Sequence, residues 1–599
     1  MAETKSRRRP ASAARKAQPS VRRATMLAPG FALVIREARG RDRDGLAVEL
    51  ARVVDRSSRD EGVEVAYAAR GRENMTGARW QELCGELRDL VREDLAPLDA
   101  GERDAVLRKL VAATARAGWS SLELSGSLYR IREVLRERLP RCIVEERQPA
   151  GLSVEQILAV DDRSFWINGW MHDEDGRGTV SVVSPEGARV SVLESAFRYE
   201  RPDVVQFYSS LGVERTGAHG FTAHFSLPAP SLLSSSWIAE LRTSDGLGLE
   251  IQCPAVRRDP LVVRAAILGE LGSHGPIGGR LAGDHGSAAM TRLQRRIVGE
   301  SKVDSIDTYG EPPRTPAVSI VVPLYKRLDF IEHQLLQFSR DPDLARAELI
   351  YVLDSTEQSE DLAKQAHELF ALYRTPFRVV NLSASAGFAR ANEHGIEVAR
   401  ARRLLLLNSD VIPDRPGWIG AMSDFYDSRK GIGALGPKLL YEDDSLQHAG
   451  LYFHRAPDGE LWENAHCFKG LHRSFPAANV ARPVPAVTAA CMLIDRELYE
   501  HVGGLPLHYV QGDYEDSELC LKLGEAGREN WYLPQVELYH LEGQSYVPGV
   551  RRVPSEYNMW LHTSLWGERI GEVMADFDPH DAAETPPPAE CKEAGVVRA

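Results

Sequence analysis

Between about residues 76 and 139, apolar side chains return every three or four positions. Trp80, Leu83, Leu87 and Leu90 form one such series, Val106, Leu107, Leu110 and Val111 a second, and Leu128, Ile131, Val134 and Leu135 a third, with Arg and Glu filling the other positions. This period predicts amphipathic helices, and residues 26–145 are read as a mainly helical region. From 151 to 256 the pattern shortens. Phe165-Trp166-Ile167, Val180–Val183, Val190–Leu193, Phe221–Phe225 and Trp237–Leu241 are separated by turn residues such as Asp175-Gly176 and Asp245-Gly246. Short strands at this spacing predict a β-sandwich-like accessory domain. Trp166, Trp170 and Trp237 suit either its core or a sugar-binding surface. Residues 257–312, with Gly269, Gly272, Gly275, Gly278 and Gly279, are read as a partly flexible connector.

At about residue 314 the texture changes again. Val318–Val322, Leu349–Leu353, Phe377–Leu382 and Leu404–Leu407 are nearly continuous apolar runs, as strands covered on both faces require. Helical text lies between them, including Ile331–Phe338 and Gly387–Arg402. Alternation of this kind predicts an α/β domain with a parallel sheet, here over residues 314–570. Ligands of such sheets bind beyond the carboxyl ends of the strands. Asp354 and Asp410 stand at two of those ends.

Composition narrows the functional classes. The chain has 599 residues and a net charge of −13, which argues against a general nucleic-acid binder. Seven cysteines without a CxxC pair argue against a disulfide scaffold or a structural zinc site and fit a reducing, cytoplasmic setting. No apolar run reaches the roughly 18 residues of a membrane span, and no apolar stretch follows the basic start, so a secretory signal is not expected. Residues 1–25, rich in Arg, read as a disordered basic tail; a solvated end and a peripheral contact with the inner face of an anionic membrane both fit it. Residues 571–599, acidic and holding Pro586-Pro587-Pro588, read as a second disordered tail.

Three places hold candidate chemistry. Asp410 closes Leu404-Leu-Leu-Leu-Asn-Ser-Asp410, where it fits either a turn before Pro413 or a ligand for Mg²⁺ or Mn²⁺, cations that prefer oxygen donors and substrate phosphates. Glu515, Asp516 and Glu518 open a helix carrying Leu519, Leu521 and Leu523. Acidic residues there suit the helix dipole, and a carboxylate there also suits a general base for a hydroxyl. His540 follows the strand-like Val536–Leu538 and matters chemically if it meets Asp410 at a shared metal.

Taken in order, these stretches resemble the family 2 glycosyltransferases, in particular the bacterial rhamnosyltransferase-like and O-antigen branch. The resemblance rests on Val318-Ser-Ile-Val-Val-Pro-Leu-Tyr325, Tyr351-Val-Leu-Asp354, Gly387-Phe-Ala-Arg-Ala-Asn392, Leu407-Asn-Ser-Asp410, Ala486–Arg496 with Val502-Gly-Gly-Leu505, Glu515-Asp516 and Tyr539-His540. It implies a GT-A (nucleotide-diphospho-sugar transferase, Rossmann-like) fold. It also implies inverting transfer of a sugar from a nucleotide-diphosphate donor to a hydroxyl of a glycan or lipid-linked acceptor, in cell-envelope polysaccharide biosynthesis. On this resemblance Pro323, Tyr325, Asp354, Gly387, Arg390, Asn392, Asn408, Ser409 and Asp410 contact the donor. Asp410 and His540 hold Mg²⁺ or Mn²⁺, Asp516 is the base, and Glu515 assists it. Lys326, Ser385 and Asn408-Ser409 depart from the family's usual residues. Asn168-Gly-Trp170, Arg201-Pro-Asp-Val204 and His219-Gly-Phe221 resemble an accessory domain of large bacterial glycosyltransferases.

Two other readings compete. A non-catalytic glycosyltransferase-like scaffold would not need Asp354, Asp410, Asp516 and His540 together. A nucleotidyltransferase would want a Gly-rich phosphate loop where Pro323-Leu-Tyr-Lys326 stands.

Overall fold

The computed structural model describes strand residues 21–28, 31–38, 45–54 and 62–70, and residues 151–579 apart from 174–176, 186, 211–216, 235–236, 243–247, 275–280, 458 and 542–551. The chain divides into two compact units, Met1–Arg258 and Asp259–Ala599.

In the first unit, β1 (Val21–Ala28), β2 (Phe31–Ala38), β3 (Gly45–Val54) and β4 (Gly62–Arg70) pair in that order as an antiparallel sheet. The helical reading of 26–145 therefore fails over its first part, and β1 begins inside the stretch read as a tail. Val34, Ile35, Val48, Val53 and Val54 give these residues the β-branched composition that suits a pleated surface better than a helix. The pattern of 76–139 lies outside the described residues, as do residues 1–20 and 580–599.

Two further four-stranded sheets follow. One has the order β5 (Gly151–Ala159), β6 (Ser164–His172), β10 (Gly220–Ser226), β9 (Phe197–Tyr199). The other has the order β12 (Gly248–Gln252), β11 (Ile238–Arg242), β7 (Thr179–Val183), β8 (Arg189–Ser191). Alternate residues of both, among them Phe165, Ile167, Phe221, Val180, Val182 and Ala239, bury into one shared core, the arrangement of a β-sandwich. Helix α1 (Pro202–Ser210) lies between β9 and β10 in sequence. Trp166 and Trp237 are fully buried, which favours the core role over a sugar-binding one, while Trp170 is half-buried.

The second unit starts earlier than residue 314. Asp259 accepts hydrogen bonds from the Leu261 and Val262 amides and, with Pro260 behind it, opens α2 (Pro260–Ser273). A second helix, α3 (Ser287–Glu300), leads into β13 (Val303–Tyr309), which pairs antiparallel with β16 (Phe377–Leu382). Among its described residues the stretch read as a connector thus holds two α-helices, a short π-helical segment (Ala282–Gly286) and an edge strand. Its glycines misled: the helices pack on one another through Met290, Leu293, Ile267 and Leu271, so a few glycines do not stop them forming.

Beyond it run β14 (Val318–Leu324), α4 (Phe330–Phe338), β15 (Ala347–Leu353), α5 (Ser359–Tyr373), β16 (Phe377–Leu382), α6 (Phe388–Val398), β17 (Arg403–Leu407), β18 (Val411–Pro413) and α7 (Trp418–Ser428). The chain continues through β19 (Ile432–Leu440), β20 (Leu446–His448), β21 (Leu451–Arg455), β22 (Trp462–His466), β23 (Arg482–Val484), β24 (Cys491–Asp495), α8 (Arg496–His501), α9 (Glu515–Glu525), β25 (Glu529–His540) and α10 (Arg552–Ala575). The main sheet has the order β13-β16-β15-β14-β17-β24-β19-β25-β18. Its β16-β15-β14-β17 portion is parallel and its far portion mixed. This is the α/β architecture implied for the domain, but the expected run of parallel strands extends only from β16 to β17, because β24 and β18 run antiparallel to their neighbours. Ile320 and Val322 pack on one face with α4, α5 and α7, and Val321 and Val352 on the other with α6 and α9, which is why those strands read as unbroken apolar runs. Helix α10 continues to Ala575, into the stretch read as an acidic tail. Cys253, Cys467, Cys491 and Cys520 are buried and, among the described residues, form no disulfide. Among the described residues, no helix is long and apolar enough to cross a membrane.

Gly395 sets how closely α6 approaches the sheet. A Cβ there would lie 2.4 Å from Val321 Cγ1 and 2.9 Å from Val352 Cγ2. Gly395→Val is therefore expected to cost about 1–3 kcal/mol by overpacking, read as a lower urea midpoint with an unchanged denaturant slope.

Candidate active site

The strand ends converge on one cleft of about 690 Å³, a size that accommodates a small-molecule ligand. Pro323, Tyr325, Asp354, Gly387, Asn408, Ser409, Asp410, Glu515, Asp516 and His540 all line it. Arg390 and Asn392 do not. On α6 the cleft-facing positions are Gly387, Phe388 and Ala391. Arg390 and Asn392 are each rotated about 100° from Ala391, one residue along a helix. Arg390 instead pairs with Glu397 at 3.0 Å, and the fully buried Asn392 donates to the Phe388 carbonyl at 3.0 Å.

Asp354 follows β15 and is buried. Its Oδ1 accepts from the Ala386 amide at 2.8 Å, and its Oδ2 accepts from the Ser385 hydroxyl at 3.0 Å and the Gly387 amide at 3.1 Å. Burial raises its pKa and these bonds oppose the rise. The carboxylate therefore fastens the turn that starts α6, where Gly387 has φ +90°, a conformation that favours glycine.

Asp410 and His540 are 130 residues apart in sequence and come together through pairing. Val411 of β18 stands opposite His540 of β25, and the Leu541 amide donates to the Asp410 carbonyl at 3.1 Å. His540 Nε2 lies 3.5 Å from Asp410 Oδ1. The turn between β17 and β18 is held from below by Gln334, whose Nε2 donates to the carbonyls of Asn408 at 2.9 Å and Val411 at 3.0 Å. His540 Nδ1 and Asn408 Oδ1 are buried without hydrogen-bond partners. Among the described residues no group of three or more His, Cys, Asp or Glu side chains is placed to cage a metal. One carboxylate and one imidazole still fit Mg²⁺ or Mn²⁺, which typically take only one or two protein carboxylates and complete their shell with water and substrate phosphate.

Glu515 and Asp516, which also line the cleft, begin α9. Asp516 is half-buried; its Oδ2 accepts from the Ala489 amide at 3.1 Å, its Oδ1 from the Ser517 amide at 2.8 Å, and the Thr488 hydroxyl also bonds it. Glu515 lies deeper, with Oε2 unpartnered. Burial raises both pKa values, and the charges of Asp516 and Asp513 raise that of Glu515 further, so Glu515 keeps its proton well above the usual carboxylate range. Glu518 differs. Burial opposes its charge, yet His508 Nε2 at 3.0 Å and Lys522 Nζ at 3.0 Å hold its pKa down to about 2, and it ties α9 in place.

The turn before α9 carries three non-glycine residues at positive φ: Gln511 (65°), Asp513 (91°) and Tyr514 (73°). Such conformations cost about 1–3 kcal/mol each unless the surroundings impose them. Asn558 of α10 supplies the constraint. Fully buried, it accepts from the Val510 amide at 2.9 Å and donates to the carbonyls of Val510 at 3.0 Å and Gly512 at 2.9 Å. The Phe388 amide also donates to the Gln511 carbonyl at 3.0 Å. Thr488 falls within the stretch Ala486–Arg496, whereas Gln334, Asn558 and the α2 residue Arg264 are parts of the site that no motif in the sequence announced. Only a contact map would have found them.

Residues 313–555 match the family described as "Glycosyltransferase like family 2". This segment is a family 2 glycosyltransferase domain. The uncharacterized protein y4gI of Sinorhizobium fredii is 30% identical over 235 residues, 39% of this chain and 25% of its own length. The O-antigen biosynthesis protein RfbC of Myxococcus xanthus is 28% identical over 284 residues, 44% of this chain and 20% of its own. An N-acetylglucosaminyl-diphospho-decaprenol L-rhamnosyltransferase of Mycobacterium tuberculosis is 30% identical over 146 residues, 22% of this chain and 44% of its own. The chain therefore spans a quarter or less of the first two relatives and under half of the third. Within this segment the ends of β15 and β17, the start of α9 and the end of β25 bring Asp354, Asp410, Asp516 and His540 to one cleft.

Two outcomes follow for the domain. Asn558→Ala leaves several buried backbone groups of 510–512 without a partner, at about 1–3 kcal/mol for each group left unsatisfied. Its amides at 510–514 should exchange hydrogen faster than those of the parent, while unchanged protection there would refute the clamp. A carboxyl whose pKa is raised on folding makes stability fall as pH rises from the ordinary Glu range to the raised value, because only the unfolded state has lost the proton. Glu515→Gln should therefore flatten the fall in melting temperature between the ordinary Glu range and about pH 8; parallel profiles there would contradict this.

Proposed function

We propose that the chain transfers a sugar from a nucleotide-diphosphate donor to a hydroxyl of a glycan or lipid-linked acceptor, with inversion at the anomeric carbon, in cell-envelope polysaccharide biosynthesis. The observation that carries this reading is that Asp516 and the Asp410–His540 pair face one cleft of the glycosyltransferase domain. The printed names of the Myxococcus and Mycobacterium relatives support the choice of envelope glycans and of a lipid-linked acceptor.

Asp410 and His540 would hold Mg²⁺ or Mn²⁺, which, when bound, neutralises charge on a departing diphosphate. Asp516 opens to the cleft while the Ala489 and Ser517 amides and the Thr488 hydroxyl hold it, so its geometry is set before substrate arrives. The acceptor oxygen bonds to the anomeric carbon as the bond to the diphosphate oxygen breaks, and the hydroxyl proton passes to Asp516. Burial raises the basicity of that carboxylate, which favours proton uptake. Glu515, kept protonated, offers a hydrogen-bond donor beside Asp516 and adds no second negative charge next to the donor. No residue is assigned as a nucleophile, so transfer is a single displacement.

Asp516→Asn is expected to abolish transfer in a nucleotide-sugar panel read by nucleoside diphosphate release, with donor binding nearly unchanged. Normal turnover by this variant would reject the base. Asp410→Ala should remove the dependence of nucleotide binding on Mn²⁺. Titrations that still respond to the ion would reject that ligand.

A further inference from the structure

Helix α2 lies outside the segment that matches the family, yet it forms part of the cleft wall. Leu261, Arg264, Ala265 and Leu268 line the cleft. Their spacing of three and four residues makes them one stripe of the helix. Arg264 is 9% exposed, and its Nη1 donates to Gln294 Oε1 of α3 at 3.0 Å, so the guanidinium is positioned before any ligand binds. It also attracts the Asp354 carboxylate electrostatically.

Its position decides what it addresses. Asp354 ends β15 and Asp410 ends β17, with β14 between them. Two strand spacings, about 9.6 Å, separate those ends. If a diphosphate lies at Asp410 and His540, the nucleoside reaches back along the sheet edge toward Asp354. There both oxygens of Asp354 are already engaged by Ser385, Ala386 and Gly387. The wall is otherwise rich in carboxylates, and Arg264 and Lys469 are the only Arg or Lys side chains among its described residues. Lys469 is exposed.

We infer that Arg264 reads the donor's nucleobase, donating hydrogen bonds to a base carbonyl while the apolar stripe of α2 covers the base. An arginine side chain offers donors and no acceptor. It therefore suits uracil, thymine or guanine, whose edges carry carbonyl oxygens, and disfavours adenine, whose corresponding edge presents an amine. The inference rests on the donor-binding reading above and adds the base class and the residue that selects it.

The test titrates UDP, GDP, ADP and inorganic diphosphate, each with Mn²⁺, into the full chain and into Arg264→Ala and Arg264→Lys. The parent should bind UDP or GDP more tightly than ADP. Arg264→Ala should lose about tenfold or more of that preferred affinity, as expected for a charge-assisted hydrogen bond, and leave ADP and diphosphate within about twofold. Arg264→Lys, which keeps the charge and loses the planar fork, should fall between and serves alone if the alanine variant does not fold. Equal weakening of all four ligands, weakening of diphosphate, or no change would overturn the inference and leave the glycosyltransferase reading standing. A parent that binds none of the nucleotides with Mn²⁺ would overturn both.

Discussion

The antiparallel pairing of Val411 with His540 is the contact on which the site depends. Strand β18 is only three residues long, and this pairing, the Gln334 clamp and the bond from the Asn408 amide to the Ala490 carbonyl fix the turn that carries Asp410. A one-residue slip would move every side chain of the short strand to the opposite face and separate Asp410 from His540. The bond from Leu541 to the Asp410 carbonyl and the neighbouring β19–β25 pairing resist such a slip. The large mixed sheet thus acts as the device that joins two residues far apart in sequence.

The start of α9 solves a different problem. Glu515 and Asp516 are adjacent carboxyls in a buried place, and two charges there would repel. The structure separates them by depth: Asp516 takes the cleft-facing position with amide donors on both oxygens, and Glu515 takes the interior position with an unpartnered oxygen. That division requires the preceding turn to run through an unfavourable backbone conformation, and Asn558 holds it there from a helix that carries no motif residue. Precision at the carboxylates is obtained by moving the strain next door and satisfying it with one side chain.

How much of this could be read from the chain follows from how local each signal is. The buried strands Val318–Leu324 and Ala347–Leu353 announced themselves because both faces are covered and every residue is apolar or nearly so. Asp354, Asp410, Glu515, Asp516 and His540 were legible because each sits at the end of an element whose limit the sequence marks, and all five line the cleft. Arg390 and Asn392 show the limit. They share a motif with Gly387, but helical rotation turns them away. The segment 257–312 was misjudged because its helices are stabilised by packing on each other and on α10, contacts with no local signature. Residues 26–70 were drawn into a helical region by the pattern further along the chain, against their own β-branched composition.

The position of β25 bears on how the molecule comes into being. This strand lies between β19 and β18, pairing with both, although it is the last of the described strands to be made. A chain emerging from the ribosome can assemble β14, β15, β16 and β17 as each appears, but the sheet stays open until residue 540 is available. Pairings at such long sequence separation form late and slowly. Under the metal-site reading, a nascent or truncated chain would hold Asp410 without its histidine. Completion of the sheet would then coincide with completion of the site, and the chain would not acquire donor-handling chemistry before its domain is closed.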